Sequence, residues 1–132
     1  EFRRVLFRSG SFSVVKVYPE ADYQRVLRIA AAAESGSNHP IAKCIAASYP
    51  DYEKGYEVAE IAGRGVRAEK DGNVILVGNA ALLKENNVVF DEVSDVGSIE
   101  YVAENGKYVG AIVVADTIKE SSVKAKIANH IA

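Results

Sequence analysis

The chain has a single cysteine, Cys44, so it can form neither an internal disulfide nor a tetrahedral site of cysteine thiolates, which fits a reducing compartment. It lacks a basic excess. With a formal net charge of −2, neither a nucleic-acid backbone nor an anionic membrane surface is indicated as its main partner. No run approaches the roughly 20 apolar residues that a membrane-crossing helix requires. Also missing are a GxxxxGK(S/T) phosphate loop, a strand–GxGxxG–helix unit, a paired His/Cys metal spacing and a GxSxG nucleophile turn. What is present is 132 residues, 48% of them hydrophobic, with only three prolines. That is enough for one buried core and hardly for two.

The first nine residues, EFRRVLFRS, have neither a strand pattern nor a helix cap. They coincide with the conceptual translation of a common short-read sequencing adapter, and residues 1–9 are set aside as a non-native tail. The physical alternatives are a basic tail, or a targeting peptide whose apolar segment is too short for a secretory signal. Three arginines and one glutamate leave with this stretch, so the remainder is more acidic than the whole. The natural chain is then expected to begin upstream of Gly10.

The stretch SFSVVKVYP alternates apolar and polar positions and predicts a strand stopped by Pro19. Asp22 is a candidate N-cap for a helix carrying Val26, Leu27, Ile29, Ala30 and Ala33 at helical spacing, ended by Ser35 and Gly36. Pro40 suits the first turn of a second helix, where its missing N–H is not needed. SGSNH then links a helical hairpin. From Tyr56 the texture changes to glycine-punctuated strands, YEVAEIAG, GVRAEK and NVILVG, the last two joined by Asp71-Gly72, a tight hairpin signal. AALLKEN reads as a short helix. SIEYVAE and KYVGAIVVAD flank a second such turn, Asn105-Gly106, and TIKESSVKAKIANHIA reads as a final helix with Val123, Ile127 and Ile131 on one side. Strands meeting through tight turns predict an α+β fold, a mostly antiparallel twisted sheet with the helical hairpin and further helices packed on it.

Three features stand out chemically: Glu34 with His39, the GRGV turn from Gly63 to Val66, and VGN from Val77 to Asn79. Each has a plain structural reading. A Ser/Asn/His cluster before proline is a helix cap, Gly-x-Gly between strands is a bend, and Gly-Asn after a strand is a strand-to-helix turn with Asn as N-cap. His130 lies near the end of the chain, and a lone helical cysteine on an apolar face, Cys44, reads as packing. Taken together the three features describe a pocket for a flat base. Glycines admit close backbone approach, an imidazole stacks on a purine or hydrogen-bonds to it, and Glu34 can accept from an exocyclic amine.

In order and separation, Glu34 five residues before His39-Pro40, then GRGV, VGN and ADTIKESS, the sequence resembles the nucleotide-binding domain of heavy-metal-transporting P-type ATPases from about Gly10 to its end. The resemblance implies that the adenine of ATP enters a pocket made by Glu34, His39, Gly63, Gly65, Val66, Gly78 and Asn79, with Mg2+ accompanying ATP in the full-length protein. It implies a nucleotide-binding domain over 10–115 and the start of a phosphorylation domain over 116–132. The further partners it implies are the phosphorylation, actuator and membrane domains of the same chain, with no nucleic acid. The full-length protein would be an integral membrane cation translocase driven by ATP hydrolysis, with this domain on the cytoplasmic face. The Asp-Lys-Thr-Gly-Thr phosphorylation motif is absent, so the fragment alone is expected to be inactive and to bear no catalytic or metal-binding residue.

Two positions depart from the family pattern. Asn38 stands where a glutamate is expected before the histidine, and Ala80 where some members place a basic residue. SNHPIA resembles the zinc/cadmium/lead branch more than the copper branch. Two other classes compete: a stand-alone interaction or ligand-binding α+β domain, and a haloacid-dehalogenase-type phosphatase suggested by VVADTIKES and opposed by the lack of an Asp-x-Asp-like nucleophile.

Overall fold

The computed structural model describes residues 5–116. Seven strands and three α-helices follow one another as β1 (Phe7–Ser9), β2 (Phe12–Tyr18), α1 (Tyr23–Glu34), α2 (Pro40–Ser48), β3 (Glu57–Ile61), β4 (Gly65–Lys70), β5 (Asn73–Gly78), α3 (Ala80–Glu85), β6 (Ser98–Glu104) and β7 (Lys107–Asp116). The strands form one sheet in the order β1-β2-β7-β6-β5-β4-β3, with every pairing antiparallel. The fold is therefore α+β. Helices α1 and α2 pack together on one face, and α3 lies against β5 and β6.

Local chemistry accounts for these elements. Asp71 and Gly72 both take left-handed φ, 51° and 84°, as do Asn105 and Gly106 at 52° and 81°, which is the twist a two-residue hairpin loop needs. In β2 the register slips between Val14 and Lys16, so Val14 and Val17 join the helix-side core while Val15 packs with Val113 and Ala115 in a separate cluster. The slip explains why the sequence shows a Val14-Val15 pair instead of strict alternation. Helix α1 buries Val26, Leu27, Ile29 and its alanine run against the sheet, each large side chain contributing about 1.5 to 3 kcal/mol. On the opposite face, Leu82, Leu83 and Val88 pack with Leu76 and Tyr101, and Phe90 meets the Tyr101 ring edge-on at 4.9 Å.

Several of the residues named from the sequence can be placed. Phe7–Ser9, set aside as tail, forms an edge strand against β2, and Phe7 packs on the core. Asp22 holds the N-cap position of α1 after a 3-10 turn over Glu20–Asp22, but its side chain makes no cap hydrogen bond and instead pairs with Arg25 at 3.7 Å. Asp116, placed by sequence at the start of a second domain, ends β7 opposite Phe12. The expected final helix, with Val123, Ile127, His130 and Ile131, lies outside the described residues. Cys44 is fully buried in the core, with its thiol pushed up by burial. No helix among the described residues is long and apolar enough to cross a membrane.

Candidate functional site

Where α1 ends and α2 begins, the hairpin connection lies over the ends of β3, β4 and β6. The last residue of α1, Glu34, is 4% exposed, because the alanine run before it lets the helix lie close to the sheet. The chain turns on a bond from the Ser37 amide to the Glu34 carbonyl at 3.1 Å. Ser37 Oγ then donates to Glu60 Oε2 and accepts from the His39 amide, both at 3.2 Å. His39 is extended, with φ −67° and ψ 135°, and its Nδ1 accepts from the Ile41 amide at 3.2 Å as the N-cap of α2. With Nδ1 so engaged, Nε2 is the ring nitrogen left to face a ligand.

The second wall is the Gly63-Arg64-Gly65 turn between β3 and β4. Asn79 fixes it from below. Its Nδ2 donates to the Gly63 carbonyl at 2.8 Å, its amide donates to the Arg64 carbonyl at 2.9 Å, and its Oδ1 caps α3 by accepting from Leu82 N at 3.1 Å. Gly65, at φ 147°, stands opposite Gly78 in the ladder with no room for a Cβ between them, whereas Gly63, at φ 72°, has open space above it. The Arg64 guanidinium is held by Glu85 through contacts of 2.8 and 2.7 Å.

These walls enclose a cleft of about 440 Å³. Of the seven residues named from the sequence, Glu34, His39, Gly63, Gly65, Val66 and Asn79 line it, and Gly78 lies behind Gly65. Glu34 and Val66 are buried at its floor, while His39, Gly63 and Asn79 are exposed. A cavity of about 610 Å³ beside β2, bordered by Leu6, Lys16 and Tyr23, contains none of the seven. It is larger, and its Lys16 is already paired with Glu20 at 3.2 Å.

Sequence reasoning missed Ser37, Glu60 and Glu100. The signal was present: Glu60 shares the face of Val58 in β3, and Glu100 that of Val102 in β6, each a carboxylate in an apolar register position. Burial raises the Glu34 carboxyl to about 8, helped by Glu100 and Glu60, and raises Glu100 to about 7. The cleft thus offers apolar walls, one imidazole nitrogen, carboxyl groups that take up protons easily, and an exposed backbone turn. Among the described residues no group of His, Cys, Asp and Glu could hold a metal ion. Such a site suits a flat, polar-edged ligand.

No family model matches the chain. It is 38% identical over 121 residues to a zinc-transporting ATPase of Synechocystis sp., covering 88% of this chain and 17% of that protein. To a cadmium, zinc and cobalt-transporting ATPase of Helicobacter felis it is 40% identical over 119 residues, covering 86% of this chain and 17% of that protein. Among solved structures, the N-domain of HMA8, a copper-transporting P-type ATPase, is similar with a TM-score of 0.60 and 26% identity, over 76% of this chain and 97% of that one. The chain spans about 17% of the length of the curated relatives it matches.

Proposed function

We propose, from the premise that this chain matches the N-domains of heavy-metal-transporting P-type ATPases in sequence and fold, that its cleft captures ATP by the adenine ring. The observation that carries the reading is the gathering of Glu34, His39, Gly63, Val66 and Asn79 around one cleft from four separate segments. The base enters between His39 and the Gly63 turn and reaches the buried floor at Glu34 and Val66. The triphosphate is left outside, because the lining carries three glutamates and its one cation, Arg64, is already paired with Glu85. Mg2+ travels with the phosphates.

In the full-length protein this domain delivers the γ-phosphate to an aspartate in a phosphorylation domain, with 10–115 as the nucleotide-binding part and 116–132 leading into that neighbour. The transported cation is a zinc- or cadmium-like metal, consistent with the names of the two relatives. The membrane domain lies outside this chain, and the nucleotide-binding domain faces the cytoplasm. A stand-alone interaction domain is not favoured, because such a role does not require this cleft.

A pocket that holds the base and leaves the phosphates in water binds weakly, with Kd of about 0.1 to 1 mM, or roughly 4 to 5.5 kcal/mol. Titration with ATP followed by amide chemical shifts is expected to move Glu34, His39 and Gly65. An absence of shifts there at millimolar ATP overturns the reading. The chain alone is expected to release no phosphate from ATP.

A further inference from the structure

Glu34 presents an unusual combination. It is 4% exposed and borders the cleft, and its carboxyl group makes no hydrogen bond or ion pair among the described residues. The groups facing it do not neutralise a negative charge. Glu60 from β3 and Glu100 from β6 are themselves carboxyls, and Ser37 Oγ is used by Glu60 and the His39 amide. His39 is engaged as a cap through Nδ1, and Arg64 is held by Glu85. Lys43 and Lys54 border the adjoining shallow cleft and make no ion pair with Glu34. An unpaired buried carboxyl surrounded by like groups is cheapest with its proton on. Burial and the two neighbouring glutamates hold it at about 8.

Protonation changes what this side chain can read. A carboxylate only accepts, whereas a carboxylic acid offers a donor and an acceptor side by side. Adenine presents an N6–H donor next to a ring-nitrogen acceptor, N1 on one edge and N7 on the other, so it pairs with the acid through two bonds. The anion accepts from N6–H alone and leaves the ring nitrogen unmatched. Resting on the reading that the cleft takes adenine, we propose that Glu34 reads the base as a neutral carboxylic acid, kept in that form by its burial at the cleft floor with Glu100 and Glu60 beside it. Glu60 and Glu100 are positioning residues that act on the Glu34 proton through their charge.

The test is nucleotide titration of the whole chain between pH 7 and 9, above the range where histidine titrates. The Kd for ATP is expected to rise about tenfold across this interval, as the Glu34 proton is lost with its midpoint near 8. Glu34→Gln keeps a donor beside an acceptor but has no proton to lose, so it is expected to lose the pH dependence. Glu100→Gln is expected to move the alkaline loss to lower pH. Affinity for ATP that is flat or increases from pH 7 to 9 in the parent chain overturns the inference and leaves the nucleotide reading intact, as does a Glu34→Gln variant that keeps the full pH dependence. No ATP binding at either pH overturns the nucleotide reading and this inference with it.

Discussion

Gly65 and Gly78 stand opposite each other in the β4–β5 ladder so closely that a Cβ on Gly65 would lie 2.6 Å from the Gly78 Cα, and one on Gly78 would lie 2.9 Å from the Gly65 Cα. Both residues belong to motifs that the sequence assigns to ligand approach. Their first duty is to each other, because their contact lets the Gly-x-Gly turn fold down onto Asn79. Gly63 differs in having open space where its side chain would be.

An alanine series separates these roles. Gly65→Ala and Gly78→Ala force backbone against backbone, and each is expected to destabilise the fold by about 1 to 3 kcal/mol, as overpacking does. That corresponds to a drop in Tm of at least roughly 4 °C for a domain of this size. Gly63→Ala meets no obstacle and carries only the cost of left-handed φ, about 1 to 2 kcal/mol. Its larger effect is expected on ATP affinity, since a methyl group there projects into the cleft. Thermal melts and ATP titrations on the three variants check this. If Gly63→Ala is the least stable of the three, the assignment of roles fails.

His39 combines a structural and a recognition duty that substitution can divide. His39→Ala removes the Nδ1 acceptor of the Ile41 amide and is expected to cost about 0.5 to 1 kcal/mol, because the cap is exposed and its geometry is long at 3.2 Å. The His39 amide keeps its bond to Ser37 Oγ, so the connection stays in place. His39→Asn supplies a better cap without an imidazole. Its melting temperature is expected to equal or exceed that of the parent while ATP affinity falls as far as in the alanine variant. Unchanged affinity in His39→Asn would reduce this residue to a helix cap.

The elements that carried their own chemistry were legible in the sequence. Asp71-Gly72 and Asn105-Gly106 announce left-handed hairpin loops, and Pro40 and Asn79 mark helix starts that the structure reproduces. The cleft was legible in part, since Glu34, His39 and Gly63 lie in segments whose residue types are odd for their position. Glu60 and Glu100 stand in apolar register positions, but only the sheet order brings β3 and β6 to the same end of the hairpin and so shows that the two belong to one site. Nor could spacing show that Gly78 faces Gly65, which is a matter of ladder register. Phe7–Ser9 was set aside for its origin, but any short stretch with a half-buried aromatic can pair with an open edge.

The buried glutamates also make stability depend on pH with an unusual sign. In the folded chain Glu34 titrates near 8 and Glu100 near 7, both because burial disfavours the anion, whereas unfolding returns each to about 4.3. Between those values the folded chain holds more protons than the unfolded one, so stability decreases as pH rises. The contribution is complete below about pH 4.3 and is lost progressively, through 7 for Glu100 and through 8 for Glu34. Ordinary carboxylates, paired in the native state as anions, give the opposite slope. Other groups titrate over the same interval, so the comparison that isolates Glu34 is the difference between the parent and Glu34→Gln in urea melts at pH 5.5, 7 and 9. The variant is expected to gain on the parent as pH rises, by a few kcal/mol, on the order of the cost of an unpaired buried charge. A difference that is constant with pH, or that shrinks, means that the Glu34 carboxyl is solvated or paired in solution, and the floor of the cleft would then carry a carboxylate.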